Sequence, residues 1–390
     1  MSNQDAQKLL TFLQYPATET SLEGITTETT KYKVIVWVAD PATPSNKKPF
    51  KFLPKGPIEL EIRQKRSLHP PQFSYDPNER ELLMVYTVAG EEQSITSLSR
   101  LTAHLSVLAT IPVTTRKTDV GSDTILNTKT HTVVHSVAST PDGDRLWILT
   151  PGIREWKSVQ IRVASPYPYE ARESLLIFPV KKFPQFNTVF YLNVRAGMWK
   201  GAYYNCSLFL DSLSPTYFHK LLQGEDLEWS RSKIELPEGL TEEDLFGYKP
   251  GCIVTKQKQG GYRLYLFWSP QDQNRGNFLC YFYVPLRNDG SVDISPDVVP
   301  KLETISGSNQ NRVTTFQIVE SNGRVFCFWK YHDRLWAKSA LIEEDGSISW
   351  KWEDVYGRGE SLLISGMTNM SCTVVPDAFC YTPKTSVEWK

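Results

Sequence analysis

The chain is punctuated by short, strongly apolar runs set between turn-forming residues and more polar stretches. RLYLFW (263–268) and RVFCFW (324–329) define the shape. The same texture returns as ELLMVY (81–86), RLWILT (145–150), KVIVWV (33–38) and DAFCYT (377–382), and in degraded form as WKGAYY (199–204). Each run is apolar at successive positions and rich in aromatic and β-branched residues, which predicts a strand buried on both faces. Tight-turn signals stand just before three of them: Pro141-Asp142-Gly143-Asp144, Gly260-Gly261-Tyr262 and Ser321-Asn322-Gly323. Upstream of such turns lies another strand, as in TVVHSVAS (132–139) and VTTFQIVE (313–320). Downstream come a third, such as NFLCYFYVPL (277–286), and a more polar fourth, such as VVPKLETI (298–305). Helical periodicity is confined to residues 4–13 and 239–246.

The seven copies start at 33, 81, 145, 199, 263, 324 and 377, and the wrap from the last to the first is about one period long. Four antiparallel strands per unit at this spacing predict one all-β domain over residues 1–390, a β-propeller. Seven blades follow if each copy marks a blade; six follow if the first and last copies share one. The C-terminal copy offers three strands, SCTVVPD (371–377), AFCYTPK (378–384) and TSVEWK (385–390), and then the chain stops. Residues 8–17 match the texture of an outer strand, so they are expected to close the last blade, with SLEGITTE (21–28) opening the first. Joining the ends in one blade removes the open edges of a linear array.

Charge and composition narrow the function. Lys plus Arg and Asp plus Glu number 43 each, so the basic surplus that a nucleic-acid partner calls for is absent. No apolar run is long enough to span a membrane, and the opening MSNQDAQKLLTFLQYP lacks the pattern of a signal peptide. A cytoplasmic protein is expected. The sequons at Asn205 and Asn369 would matter only if a precursor began upstream. The six cysteines show no CxxC spacing and no histidine beside them, which predicts free thiols and no zinc. The chain has no P-loop, dinucleotide-binding glycine motif, nucleophile elbow or metalloprotease helix, so neither cofactor nor metal is expected.

Candidate contacts come from the repeat itself. Its sixth position holds Trp268, Trp329, Tyr86 and Tyr204, as inter-blade packing or as the aromatic wall of a pocket at the channel mouth. Loops that diverge over a regular scaffold favour one asymmetric site. Polar residues on or beside the innermost strands are His131, His135, Asn193, Arg195, Lys249, Arg312 and Gln317. They either bond to backbone groups between blades or reach a ligand. His131, Lys249 and Arg312 join the four aromatics as substrate-binding candidates, and no residue carries a catalytic assignment.

The segment GRVFCFWKYHDRLWAKSALIEEDGSISWKW (323–352) resembles a blade of the fungal fucose-specific lectin and tectonin-type propellers. Such lectins repeat an arginine, a carboxylate and a tryptophan from blade to blade; here Arg263 and Arg324 come with Trp268 and Trp329, and the set does not recur. A branch similar to this fold serves fungal secondary metabolism as hetero-Diels–Alderases, joining a quinone methide to a humulene-type sesquiterpene. The resemblance implies a cofactor-independent cyclase acting on small hydrophobic molecules. The alternatives are a lectin for fucose or methylated sugars and an interaction scaffold.

Overall fold

The computed structural model describes residues 7–24, 26–39, 52–60, 70–88, 94–115, 119–128, 130–138, 144–150, 155–161, 170–177, 183, 189–199, 202–213, 215–225, 229–238, 240, 250–269, 279–293, 303–305, 315–331, 333–356, 362–377 and 379. It is a six-bladed β-propeller of small antiparallel sheets. Blade 1 holds β1 (Gln7–Thr20), β2 (Thr26–Ala39) and β3 (Phe52–Leu60). Blade 2 is β4 (Gln72–Asp76), β5 (Glu81–Val88), β6 (Ile95–Leu101) and β7 (Val107–Thr114). Blade 3 is β8 (Asp119–Asn127), β9 (Thr132–Ala138), β10 (Arg145–Leu149) and β11 (Lys157–Gln160). Blade 4 is β12 (Glu170–Ile177), β13 (Val189–Trp199), β14 (Ala202–Leu213) and β15 (Ser230–Ile234), with helix α1 (Pro215–Leu222) between the last two. Blade 5 is β16 (Gly251–Lys256), β17 (Tyr262–Trp268), β18 (Cys280–Leu286) and β19 (Glu303–Thr304). Blade 6 is β20 (Thr315–Ser321), β21 (Arg324–Tyr331), β22 (Arg334–Ile342) and β23 (Ile348–Tyr356), with β24 (Leu362–Leu363) also on β22. The last strand, β25 (Asn369–Pro376), returns to blade 1.

Blade 1 is ordered β25-β1-β2-β3, so the C-terminal strand is innermost and the N-terminal segment supplies the other three. This is the six-bladed alternative, in which the first and last copies share a blade. Residues 8–17 therefore do not form an outer strand: they lie in β1, between β25 and β2. SLEGITTE (21–28) is the β1–β2 turn and the start of β2, and residues 380–390 lie outside the described residues. The count of seven failed because six copies fall one to a blade and the seventh, from 377, follows β25, which belongs to the blade that already holds KVIVWV; the copies also differ in rank within their blades. ELLMVY, RLYLFW and RVFCFW lie on second strands, whereas KVIVWV and RLWILT lie on third strands. WKGAYY straddles the hairpin from β13 to β14.

Six hydrophobic clusters fill six seams, each drawing on two adjacent blades around the ring. The seam between blades 6 and 1 joins Leu9, Leu13, Ile35 and Trp37 to Phe326, Phe328 and Leu335, so ring closure is a buried contact like the others. The Asn322-Gly323 turn has positive φ at both residues (50° and 72°), the conformation that a two-residue hairpin needs. Asp289 and Asp345 each accept from the backbone and hydroxyl of a following serine, building the same turn after β18 and after β22. Helical periodicity misled at the N-terminus, and residues 239–246, Leu240 apart, lie outside the described residues. Residues 7–13 are strand, while PTYFHKLL forms the short helix α1, opened by a proline at its first position and seated by Leu221 on the seam between blades 3 and 4.

Candidate functional site

The four aromatics of the repeat are not brought together. Trp268 is 1% exposed in the seam between blades 4 and 5, stacked on Phe282 with centroids 6.2 Å apart. Tyr86 is buried between blades 1 and 2, where its phenolic oxygen accepts from Ser99 Oγ at 3.4 Å. Trp329 is buried between blades 5 and 6. Tyr204 sits on a third strand, opposite Gly197 and beyond a register shift, so it does not share the second-strand position of the other three.

His131 lies in the turn from β8 to β9, on the propeller face opposite the second-to-third-strand turns, with Nδ1 3.0 Å from Thr130 Oγ1. Burial, then His219 and Lys157, lower its pKa from the ordinary imidazole value. His135 is fully buried against Asp144, Nε2 to Oδ2 3.2 Å. Gln317 is half-buried on an innermost strand, Asn193 and Arg195 lie on a second strand, and Lys249 and Arg312 lie outside the described residues. The three arginines that open repeats pair locally: Arg145 donates to Ser158, Arg324 to Ser339 and Arg263 to Tyr265.

The most chemically varied seam is the one between blades 5 and 6. β21 and β22 place Trp329 opposite Trp336, two pairs below the turn that joins these strands, and the indoles stack at 6.4 Å and 15°. Along β22 the alternation Trp336, Lys338 continues the same face, and Trp350 of β23 stands opposite Ala340. Blade 5 answers with Tyr265 of β17, Tyr281 and Tyr283 of β18, and Glu303 of β19. Tyr281 lies 6.1 Å from the Trp350 ring and donates its hydroxyl to the Glu303 carboxylate. Burial and that carboxylate push the Tyr281 phenol well above its ordinary pKa, so it stays a neutral donor. Lys338 is largely buried, donates to the Ile305 carbonyl at 3.3 Å and lies 5.9 Å from the centre of the Trp350 ring. That is the distance of a cation–π contact. The Trp336 indole N–H is buried and makes no hydrogen bond among the described residues.

The other end of this seam is sealed. Tyr265 and Thr255 both donate to the Gly346 carbonyl, at 3.0 and 2.8 Å. Arg263 lies against the Tyr283 ring and 3.6 Å from Asp345. The seam thus offers half-buried aromatic faces (Trp336, Trp350, Tyr283), one uncommitted indole N–H, one ammonium and one carboxylate. Only Trp329 was anticipated among these. The rest were readable in part, since Trp336, Lys338 and Trp350 fall in the segment with the lectin resemblance and LWAKSAL alternates as a half-buried strand does.

Among the described residues no group of three or more His, Cys, Asp or Glu could hold a metal ion, and no helix is long and apolar enough to cross a membrane. No family model matches the chain, and no curated protein matches it. Solved structures similar to it include the α-L-arabinanase of Cellvibrio cellulosa, at 12% identity over 74% of this chain and 97% of that one, TM-score 0.40. The Penicillium chrysogenum α-L-arabinanase, solved with arabinobiose, is similar at 12% identity over 76% and 95%, TM-score 0.40. The NanB sialidase of Streptococcus pneumoniae is similar at 8% identity over 89% and 87%, TM-score 0.35.

Proposed function

We propose that this protein is a cofactor-independent cyclase. It would join a polarised heterodiene of the quinone-methide type to an apolar polyene of the humulene type by hetero-Diels–Alder cycloaddition. The reacting pair would sit where the seam between blades 5 and 6 meets the face of the second-to-third-strand turns. The observation that supports this reading is the Trp329–Trp336 stack, whose partly buried indole has an uncommitted N–H, with Lys338 two residues further along the same strand. Such a cycloaddition forms two σ bonds at the expense of two π bonds, with no leaving group and no net proton transfer. The protein has to hold two reactants in contact and stabilise electron density that gathers on the heterodiene oxygen. Indole faces suit the polyene. The Trp336 N–H and the Lys338 ammonium are the donors suited to the oxygen.

A second reading is favoured by one observation. Tyr281 holds the Glu303 carboxylate and lies against the Trp350 ring, over which the Lys338 ammonium stands: a carboxylate, an indole face and a cation, the kinds of group that a sugar site of the lectin type assembles. A quinone methide generated in situ with humulene should give one stereoisomer of adduct faster with the protein than without it. Trp336→Ala should cut that rate about a hundredfold, because a pose loosened by about 1 Å costs that much. Saturable binding of methyl α-L-fucoside, with unchanged rate and product distribution for the polyene pair, would replace the cyclase with the lectin.

A further inference from the structure

Three basic side chains meet where blades 3 and 4 adjoin, on the face opposite the second-to-third-strand turns. Alternating strand direction puts the β8–β9 turn, the β10–β11 connection and the β14–β15 connection on that face. The first carries His131, and the second delivers Lys157 as the opening residue of β11. The third holds helix α1, with His219 and Lys220 in its last turn. Leu221 seats the helix on the seam, and the chain then turns through Gly224 at φ 85°. A Cβ added at Gly224 would lie 3.3 Å from Lys157 Cδ, so the lysine stem runs against the end of the helix. His131 feels both of the other cations: burial first, then His219 and Lys157, lower its pKa from the ordinary imidazole value.

Each imidazole is oriented by a neutral neighbour through one nitrogen. His131 Nδ1 lies 3.0 Å from Thr130 Oγ1, and His219 Nε2 lies 2.9 Å from Gln223 Nε2. The other nitrogen of each ring makes no hydrogen bond among the described residues. The nearby carboxylates do not answer the cluster. Glu225 lies 3.9 Å from Lys220 Nζ, and Asp211 accepts from Arg231. Among the described residues no ion pair joins Glu155, Glu225 or Asp211 to His131, Lys157 or His219. Like charges gathered in this way disfavour one another unless an anion joins them. The helix dipole accounts for cations in the last turn of α1 but not for His131 and Lys157, which come from blade 3. We propose that this end of the seam binds a small dianionic oxyanion, inorganic or a phosphate monoester, through the Lys157 ammonium and the protonated imidazoles of His131 and His219. The site is separate from the seam between blades 5 and 6 and independent of the reading given to that seam.

Sulfate is the probe, because its double charge does not change across the range in which imidazole titrates. In the full chain labelled with 13C at histidine Cε1, the two resonances are assigned with His131→Gln and His219→Gln. At about pH 6 and constant ionic strength, sulfate should shift both saturably with one shared Kd and raise both imidazole pKa values. At about pH 8, with the imidazoles neutral, affinity should fall at least about tenfold. Lys157→Gln, an exposed change, should weaken binding at pH 6 at least about threefold. Methyl phosphate that competes with sulfate would extend the site to phosphate monoesters; inorganic phosphate competing where methyl phosphate does not would confine it to the inorganic ion. Shifts that stay linear in sulfate, that chloride reproduces at matched ionic strength, or that Lys157→Gln leaves unchanged would overturn the site.

Discussion

Trp268 is a packing residue, whereas Trp336 belongs to the proposed site. Trp268 is sealed between Phe282 and the blade 4 core, so Trp268→Ala should cost about 3–5 kcal/mol in urea unfolding, as large-to-small core changes do. Trp336 is only half-buried, and its loss should fall on ligand binding more than on stability. Burial also moves several acids in one direction. It pushes the Cys372 thiol and the Tyr15 phenol up to about 12, and likewise raises Cys327 and Tyr32 well above their ordinary values. The fold favours their neutral forms, so the stability they contribute is full at neutral pH and is lost as pH rises past the ordinary thiol and phenol values of 9.0 and 10.0. Melting temperature should decline above about pH 9, less steeply in Cys372→Ala. A flat profile from pH 8.5 to 10.5 would contradict these environments. Residue types at this scale were legible as buried aromatics, but the sixth position of a repeat fixes only distance along a strand. Which seam a ring enters depends on the blade that the strand belongs to.

Among the elements, β1 carries more of the closure than an outer strand would. It pairs with β25 over eight residues and with β2 over twelve, so it is interior to its sheet. Deleting residues 1–18 would remove most of that strand and leave β25 without its partner. The deletion variant should show no cooperative unfolding transition and should aggregate through the exposed edges. Outer strands are the remaining edges, and their protection differs. KSVQ, SRSKI and ET are polar, whereas VLATIPVT of β7 is apolar and exposed but broken by register shifts and Pro112. The strand-turn-strand units were readable from the apolar runs and from Asn322-Gly323. Their rank within a blade was not, because second and third strands are buried on both faces and carry the same texture. The helix α1 escaped notice because eight residues give too little periodicity to outweigh the surrounding strands.

At the scale of the molecule, the six seams share one plan, an apolar cluster between two sheets, and differ in what is added to it. The seam between blades 5 and 6 adds Trp336, Trp350, Lys338 and the Tyr281–Glu303 pair, while that between blades 1 and 2 adds hydroxyls such as Ser99 on Tyr86. On the proposed reading, a ring built from unlike seams carries one site, where a ring of like seams would carry several. Equilibrium titration of the purified chain with humulene, followed by calorimetry or tryptophan fluorescence, tests this directly. One ligand should bind per chain, and Trp336→Ala should abolish the binding while leaving the melting temperature nearly unchanged. Several equivalent sites per chain, or humulene binding that survives Trp336→Ala intact, would contradict the assignment of the seam between blades 5 and 6 as the functional site.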